Sequence, residues 1–162
     1  PEREQRFTFT EKYYHTAARF VARQGASLQV DAADLAGKRI AVQQNTVHDR
    51  YMTRKWGSVA QISRYQTLPQ AVAALAGGKV DAVLGDGLAL ATSFIDKPTG
   101  KGFAFTGPAL TDPGFFGKGI GIAVQKDNVA LKKSLDEALE RLRADGTYKA
   151  LVARYFTFNI DG

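Results

Sequence analysis

Twice in succession a short apolar strand runs straight into a helix-start signature, and glycine closes each helix. The stretch RIAVQ at 39–43 is compact and β-branched, and Thr46-Val47-His48-Asp49 follows it. A Thr46 hydroxyl there can accept from an early helical N–H while Asp49 reaches back to the Thr46 N–H, the two halves of a capping box. A helix is expected from 46 to about 56, with Gly57 beyond it. The pattern then repeats. QISRYQ at 61–66 alternates as a strand, and Thr67-Leu68-Pro69-Gln70 is a second capping box with proline in the tolerated first turn. Leu68, Val72 and Leu75 share one helical face, Gly77-Gly78 ends the helix, and a buried strand is expected at 80–84 before Gly85-Asp86-Gly87. Repeated strand–helix–strand units predict an α/β fold with a largely parallel sheet. In such sheets ligands sit at the carboxyl ends of strands. Two ends stand out here, at 43–46 and 85–87.

The flanking segments are less regular. Residues 6–10 (RFTFT) and 17–23 (AARFVAR) are strand candidates, and 31–35 is one helical turn stopped by Gly37. A helix is expected over 88–95. The glycine- and proline-rich stretch 97–117 is a connection holding one strand at 103–106, and another strand is expected at 120–124. Leu131, Leu135, Leu139 and Leu142 fall at helical spacing behind an Asn128 cap, Gly146 stops that helix, and Thr147 is expected to cap a last one over 148–155.

Composition removes several function classes. No apolar run approaches the roughly 18 residues that a membrane-spanning helix needs. The chain has no cysteine and two histidines, which rules out thiolate metal sites, and it carries no HExxH, P-loop or nucleophile elbow. No metal, cofactor or catalytic residue is therefore expected. The net charge of +6 is spread over basic residues interleaved with acids and apolar residues, such as Arg19, Arg23, Lys38 and Arg39. Without a basic block this is a solvated surface, and no nucleic-acid partner is expected.

Five segments in this order (FTFTEKYY, GKRIAVQQNTVH, GGKVDAVLGD, FFGKGIGIAV and LRADGTYKALVARYF) resemble the amino-acid-binding proteins of ABC importers, in the lysine/arginine/ornithine/histidine branch. The resemblance covers the whole chain. It implies a two-lobed α/β fold of the type II periplasmic binding proteins, here with one lobe complete and the other partial. Residues 1–16 would form the hinge-strand region, 17–112 lobe 2, and 113–162 the C-terminal part of lobe 1. The first half of lobe 1 would precede the hinge, so a fragment or processed product is expected, with the lobe 1 core partly uncovered and prone to self-association.

A free amino acid offers an α-carboxylate and an α-ammonium. The resemblance assigns the carboxylate to Arg3, in the motif PER, whose guanidinium makes a bidentate fork. The competing reading of Arg3 is a terminal residue without ordered contacts. It assigns to Thr46 a place at a helix start that presents free N–H groups to an anion, a role that simple N-capping would equally explain. Asp86 matches the ammonium-binding aspartate, or else is a turn residue of Gly-Asp-Gly. Two departures adjoin these. Asn45 stands where arginine-type members have glycine, and asparagine is the residue that best replaces it at positive φ. Val47 stands for a threonine, which removes one hydroxyl and keeps a backbone N–H. Gln43 and His48 fit the arginine-type pattern VQ…TxH, although His48 in a first helical turn can also point to solvent.

The resemblance thus implies a periplasmic receptor, its signal peptide not in this chain. It would capture a basic amino acid, arginine before lysine, ornithine or histidine, and deliver it to a membrane permease. The alternatives are an opine receptor and a dehydratase of the cyclohexadienyl type on the same fold, for which His48 and Asp86 would be the acid–base pair.

Overall fold

The computed structural model describes residues 5–117, 119–156 and 160. Its contacts divide the chain into two units, Ala17–Gly117 and the combination of Pro1–Thr16 with Lys118–Gly162.

The first unit is built on five strands: β2 (Ala18–Arg23), β3 (Arg39–Gln43), β4 (Gln61–Tyr65), β5 (Ala82–Asp86) and β6 (Phe103–Leu110), in the spatial order β4-β3-β5-β2-β6. β3 is parallel to both β4 and β5, as the strand–helix–strand pattern requires. β2 runs antiparallel to β5 and β6, so the sheet is mixed. Side chains alternate between its faces with the period of 2 that strands impose. Phe20, Ile40, Val42 and Leu84 point to one face, where they bury Leu35, Tyr51 and Met52. Val21, Ala41 and Val83 point to the other, against Ala71, Val72, Leu75, Leu90 and Phe94.

The helices follow from their caps. α1 (Ala32–Leu35) starts at Asp31, whose side chain accepts from Asp34 N. α2 (Val47–Trp56) starts at Thr46 and α3 (Leu68–Ala76) at Thr67, where both halves of the expected box form with Gln70. β5 begins two residues later than expected and runs on through Gly85 to Asp86, because β2 pairs Arg19 with Gly85 and Ala18 with Asp86. The helix expected over 88–95 is α4 (Gly87–Leu90) continued as a π-turn over Ala91–Ile95. β6 is twice the expected length. A short helix, α5 (Pro113–Phe116), lies inside the supposed connection. Phe115 and Phe116 pack on Tyr51 of α2, with ring centroids 5.2 and 5.1 Å away, within the unit that ends at Gly117.

In the second unit β1 (Phe7–Phe9) pairs antiparallel with β7 (Ala123–Gln125), and Tyr14 bridges Ile120. The strand expected at 120–124 is thus shorter and later. α6 (Val129–Ala144) starts at Asn128, whose side chain accepts from Leu131 N. α7 (Thr147–Tyr155) differs from the expectation at its start. Thr147 is its first residue and makes no cap; Gly146 precedes it at φ +81°, and Asp145 Oδ1 accepts from Thr147 N at 2.8 Å. Neither α6 nor α7 buries a residue completely, and Val129 and Tyr155 are 67% and 66% exposed.

Candidate functional site

The carboxyl ends of β3 and β5 lie side by side, because these strands are parallel neighbours in the sheet. Each end carries a different chemistry.

After β3 the chain turns sharply at Asn45, which sits at φ +61°. This is the left-handed conformation that asparagine tolerates better than other non-glycine residues. Thr46 then caps α2. Its hydroxyl accepts from Asp49 N at 3.3 Å and donates to the Gln43 carbonyl at 2.7 Å. With its proton committed to Gln43, the hydroxyl is a structural group here. The donors that this helix start offers an anion are the first-turn backbone amides at Val47 and His48, which have no intrahelical acceptor. The dipole of the ten-residue helix favours negative charge at the same point.

Asp49 differs from the expected box. Its Oδ2 accepts from Asn45 N at 3.2 Å, one residue earlier than Thr46, while its Oδ1 accepts from Arg64 Nε at 2.8 Å and from Thr53 Oγ1 at 3.2 Å. Arg64 Nη2 also donates to Thr53 Oγ1 at 2.7 Å. Asp49 is 9% exposed. The signal for this pair was in the strand register. Arg64 pairs with Val42, so it shares the face that packs on α2.

At the end of β5, Asp86 is half-buried and its Oδ1 accepts from Ala89 N at 2.8 Å, capping α4. The next residue, Gly87, donates its N–H to the Ala17 carbonyl at 3.0 Å. A Cβ on Gly87 would lie 2.8 Å from that carbonyl and 3.0 Å from Arg19 Cγ, so the turn that presents Asp86 admits no side chain there.

His48 is the second residue of α2. Its ring packs against Phe116, with centroids 5.7 Å apart and planes tilted by 33°. Burial pushes the imidazole below its usual range, and the Asp86 carboxylate partly opposes that shift. His48 is therefore a half-buried ring packed on Phe116, with its proton disfavoured by burial. Phe115 and Phe116 had no expected role at the site, since a PGFF stretch before glycine looks like loop.

Of the residues singled out beforehand, Thr46, Val47 and His48 fall at one helix start and Asp86 within electrostatic reach of His48. Gln43 turns the other way: its Nε2 donates to the Gln66 carbonyl at 3.3 Å, toward β4. Arg3 lies outside the described residues. A groove of about 640 Å³ in the other unit runs along α6 past Glu11, Lys132, Asp136 and Arg143. Its charges are of both signs and partly paired, with Lys132 Nζ 2.6 Å from Asp136 Oδ2, so it offers no single ligand chemistry. Among the described residues no cluster of three or more histidine, cysteine or acidic side chains is placed to hold a metal.

The chain is similar to several known proteins. The chain is 41% identical to an L-arginine-binding protein of Pseudomonas aeruginosa, over 99% of this chain and 62% of that protein. It is 34% identical to the lysine/arginine/ornithine-binding periplasmic protein of Escherichia coli, again over 99% of this chain and 62% of the relative. The chain therefore spans less than two thirds of the length of these relatives. Among solved structures, a Salmonella typhimurium periplasmic binding protein described for its high arginine specificity superposes with a TM-score of 0.78 at 31% identity, covering 97% of this chain and 68% of that one. The family profile of the bacterial extracellular solute-binding proteins, family 3, matches residues 1–158. By sequence and by fold, the chain belongs to that family.

Proposed function

We propose that this chain is the ligand-capturing part of an ABC-importer receptor for a basic amino acid, with arginine the preferred ligand. The observation that carries this reading is the pairing of opposite chemistries on adjacent strand ends. The first-turn amides of α2, after β3, suit an α-carboxylate, and Asp86, at the end of β5, suits an α-ammonium. Neighbouring strands are about 4.8 Å apart, a spacing that one amino-acid backbone can bridge. Arginine is favoured because the relatives include an L-arginine-binding protein and a lysine/arginine/ornithine-binding protein. His48 and Arg3 would complete the ligand contacts, with Val47 contributing its amide and Gln43 bracing the turn.

On this reading Ala17–Gly117 corresponds to a whole lobe and the remaining residues to part of a second. The receptor would work in the periplasm and hand its ligand to a membrane permease. It would bind without chemical conversion, in keeping with relatives that are all named as binding proteins. The apolar side chains exposed on α6 and α7, Val129, Leu131, Leu151 and Tyr155, would support self-association of this chain.

Thermal unfolding with a panel of arginine, lysine, ornithine, histidine, an opine and glutamate tests the proposal. A ligand at about 100 times its dissociation constant adds roughly 2.7 kcal/mol of stability. Stabilisation by arginine and none by glutamate is expected. Stabilisation by glutamate in preference to every basic ligand would overturn it, and an opine preferred over arginine would shift the assignment to opine capture.

A further inference from the structure

We propose that Asp49, pinned by Arg64 and Thr53, is the positioning residue of the carboxylate-binding turn. It touches no ligand itself, and it holds the Asn45 backbone so that the first-turn amides of α2 keep their aim. The inference rests on the reading of that turn as the anion site.

The geometry supports it in three steps. First, Asn45 occupies a left-handed conformation at φ +61°, which asparagine tolerates but which still benefits from a partner that fixes the turn. That partner is Asp49 Oδ2, which takes the Asn45 N–H at 3.2 Å. Second, that carboxylate is not free to swing. Its other oxygen is fixed by Arg64 Nε at 2.8 Å and Thr53 Oγ1 at 3.2 Å, and Arg64 Nη2 locks Thr53 Oγ1 in turn at 2.7 Å. α2 and β4 thus grip the same acid. Third, an acid in the first turn of α2 would repel an anion at that helix start, and Arg64, 44% exposed and reaching in from β4, supplies the compensating charge.

The test compares the parent chain with Asp49→Ala, Asp49→Asn and Arg64→Gln. It reads amide hydrogen exchange at Asn45 to His48 and calorimetric arginine affinity. Asp49→Ala is expected to speed exchange at Asn45 at least about tenfold, with the core amides of β3 and β5 unchanged, and to weaken arginine at least about tenfold. Asp49→Asn keeps an acceptor for Asn45 and restores most of the protection. Arg64→Gln weakens arginine by a factor that shrinks as salt rises, since an unbalanced charge is screened. Unchanged exchange at Asn45 in Asp49→Ala would overturn the proposal whatever the parent chain binds. So would uniform loss of protection across the unit in both Asp49 variants, which is the mark of a merely structural residue. A parent chain that binds none of arginine, lysine, ornithine and histidine, with Asn45 still deprotected in Asp49→Ala, would refute the function proposed above and with it the ligand-positioning role, leaving Asp49 only as the residue that fixes the turn.

Discussion

A single methyl group on Gly87 should cost both stability and ligand affinity. The Cβ would lie 2.8 Å from the Ala17 carbonyl oxygen and 3.0 Å from Arg19 Cγ. The first contact is with backbone, and that carbonyl already accepts the Gly87 N–H at 3.0 Å, so neither group can retreat without loosening the β2–β5 ladder. Overpacking of this kind costs about 1–3 kcal/mol. For a chain of this size each kcal/mol lowers the melting temperature by roughly 2–4 °C, which gives a drop of about 2–12 °C for Gly87→Ala. Gly77→Ala is the control. A Cβ there meets nothing nearer than the Ala73 carbonyl oxygen at 3.4 Å, and its φ of −77° suits any residue. With no clash, the smaller entropy of the unfolded chain should make it neutral or stabilising by up to about 1 kcal/mol. Differential scanning fluorimetry on the two variants decides the matter. A Gly87→Ala chain melting at or above the parent would refute the claim that the Asp86 turn is sterically closed.

Three further outcomes follow from the same structure. Thr67→Ala removes the acceptor of Gln70 N and should cost about 0.5–2 kcal/mol in urea unfolding, whereas an unchanged midpoint would mean that the capping box contributes nothing. His48 is held below its usual value of 6.5 by burial, so the folded state disfavours its proton. The stability contributed by the neutral ring is present above about pH 6.5 and is lost as the pH falls through that value, because the unfolded chain takes up the proton first. Between pH 8 and pH 5 the parent should therefore lose more stability than His48→Gln, and an NMR titration should place His48 below 6.5; equal losses would contradict the assignment. In sedimentation, the exposed apolar residues of α6 and α7 predict concentration-dependent association, and a monomer at all concentrations would argue against it.

What the sequence disclosed depended on whether the controlling interaction was local. The helices starting at Thr46 and Thr67 were legible because a cap and the backbone amide it serves lie within three residues. That β3, β4 and β5 run parallel followed from the strand–helix–strand alternation. The direction of β2 escaped, since it is set by pairing with residues sixty or more positions away. That same pairing carried β5 on to Asp86, past the end that its apolar run suggested. At the site, Asn45 could be expected at positive φ because its side chain tolerates that conformation. Asp49 was misassigned within its own box, because the Arg64 that draws it away arrives from another strand. Phe116 was invisible as a partner of His48, since the two are brought together only by the fold.

Whether Asp86 and the α2 amides form one amino-acid site is decided by calorimetric titration of arginine into this chain and into Asp86→Asn. Removing one member of a desolvated charge pair costs about 2–5 kcal/mol, so saturable binding to the parent and a loss of at least about thirtyfold in the variant are expected. Arginine bound equally tightly by both would contradict it, because the ammonium would then have to be held somewhere other than the end of β5.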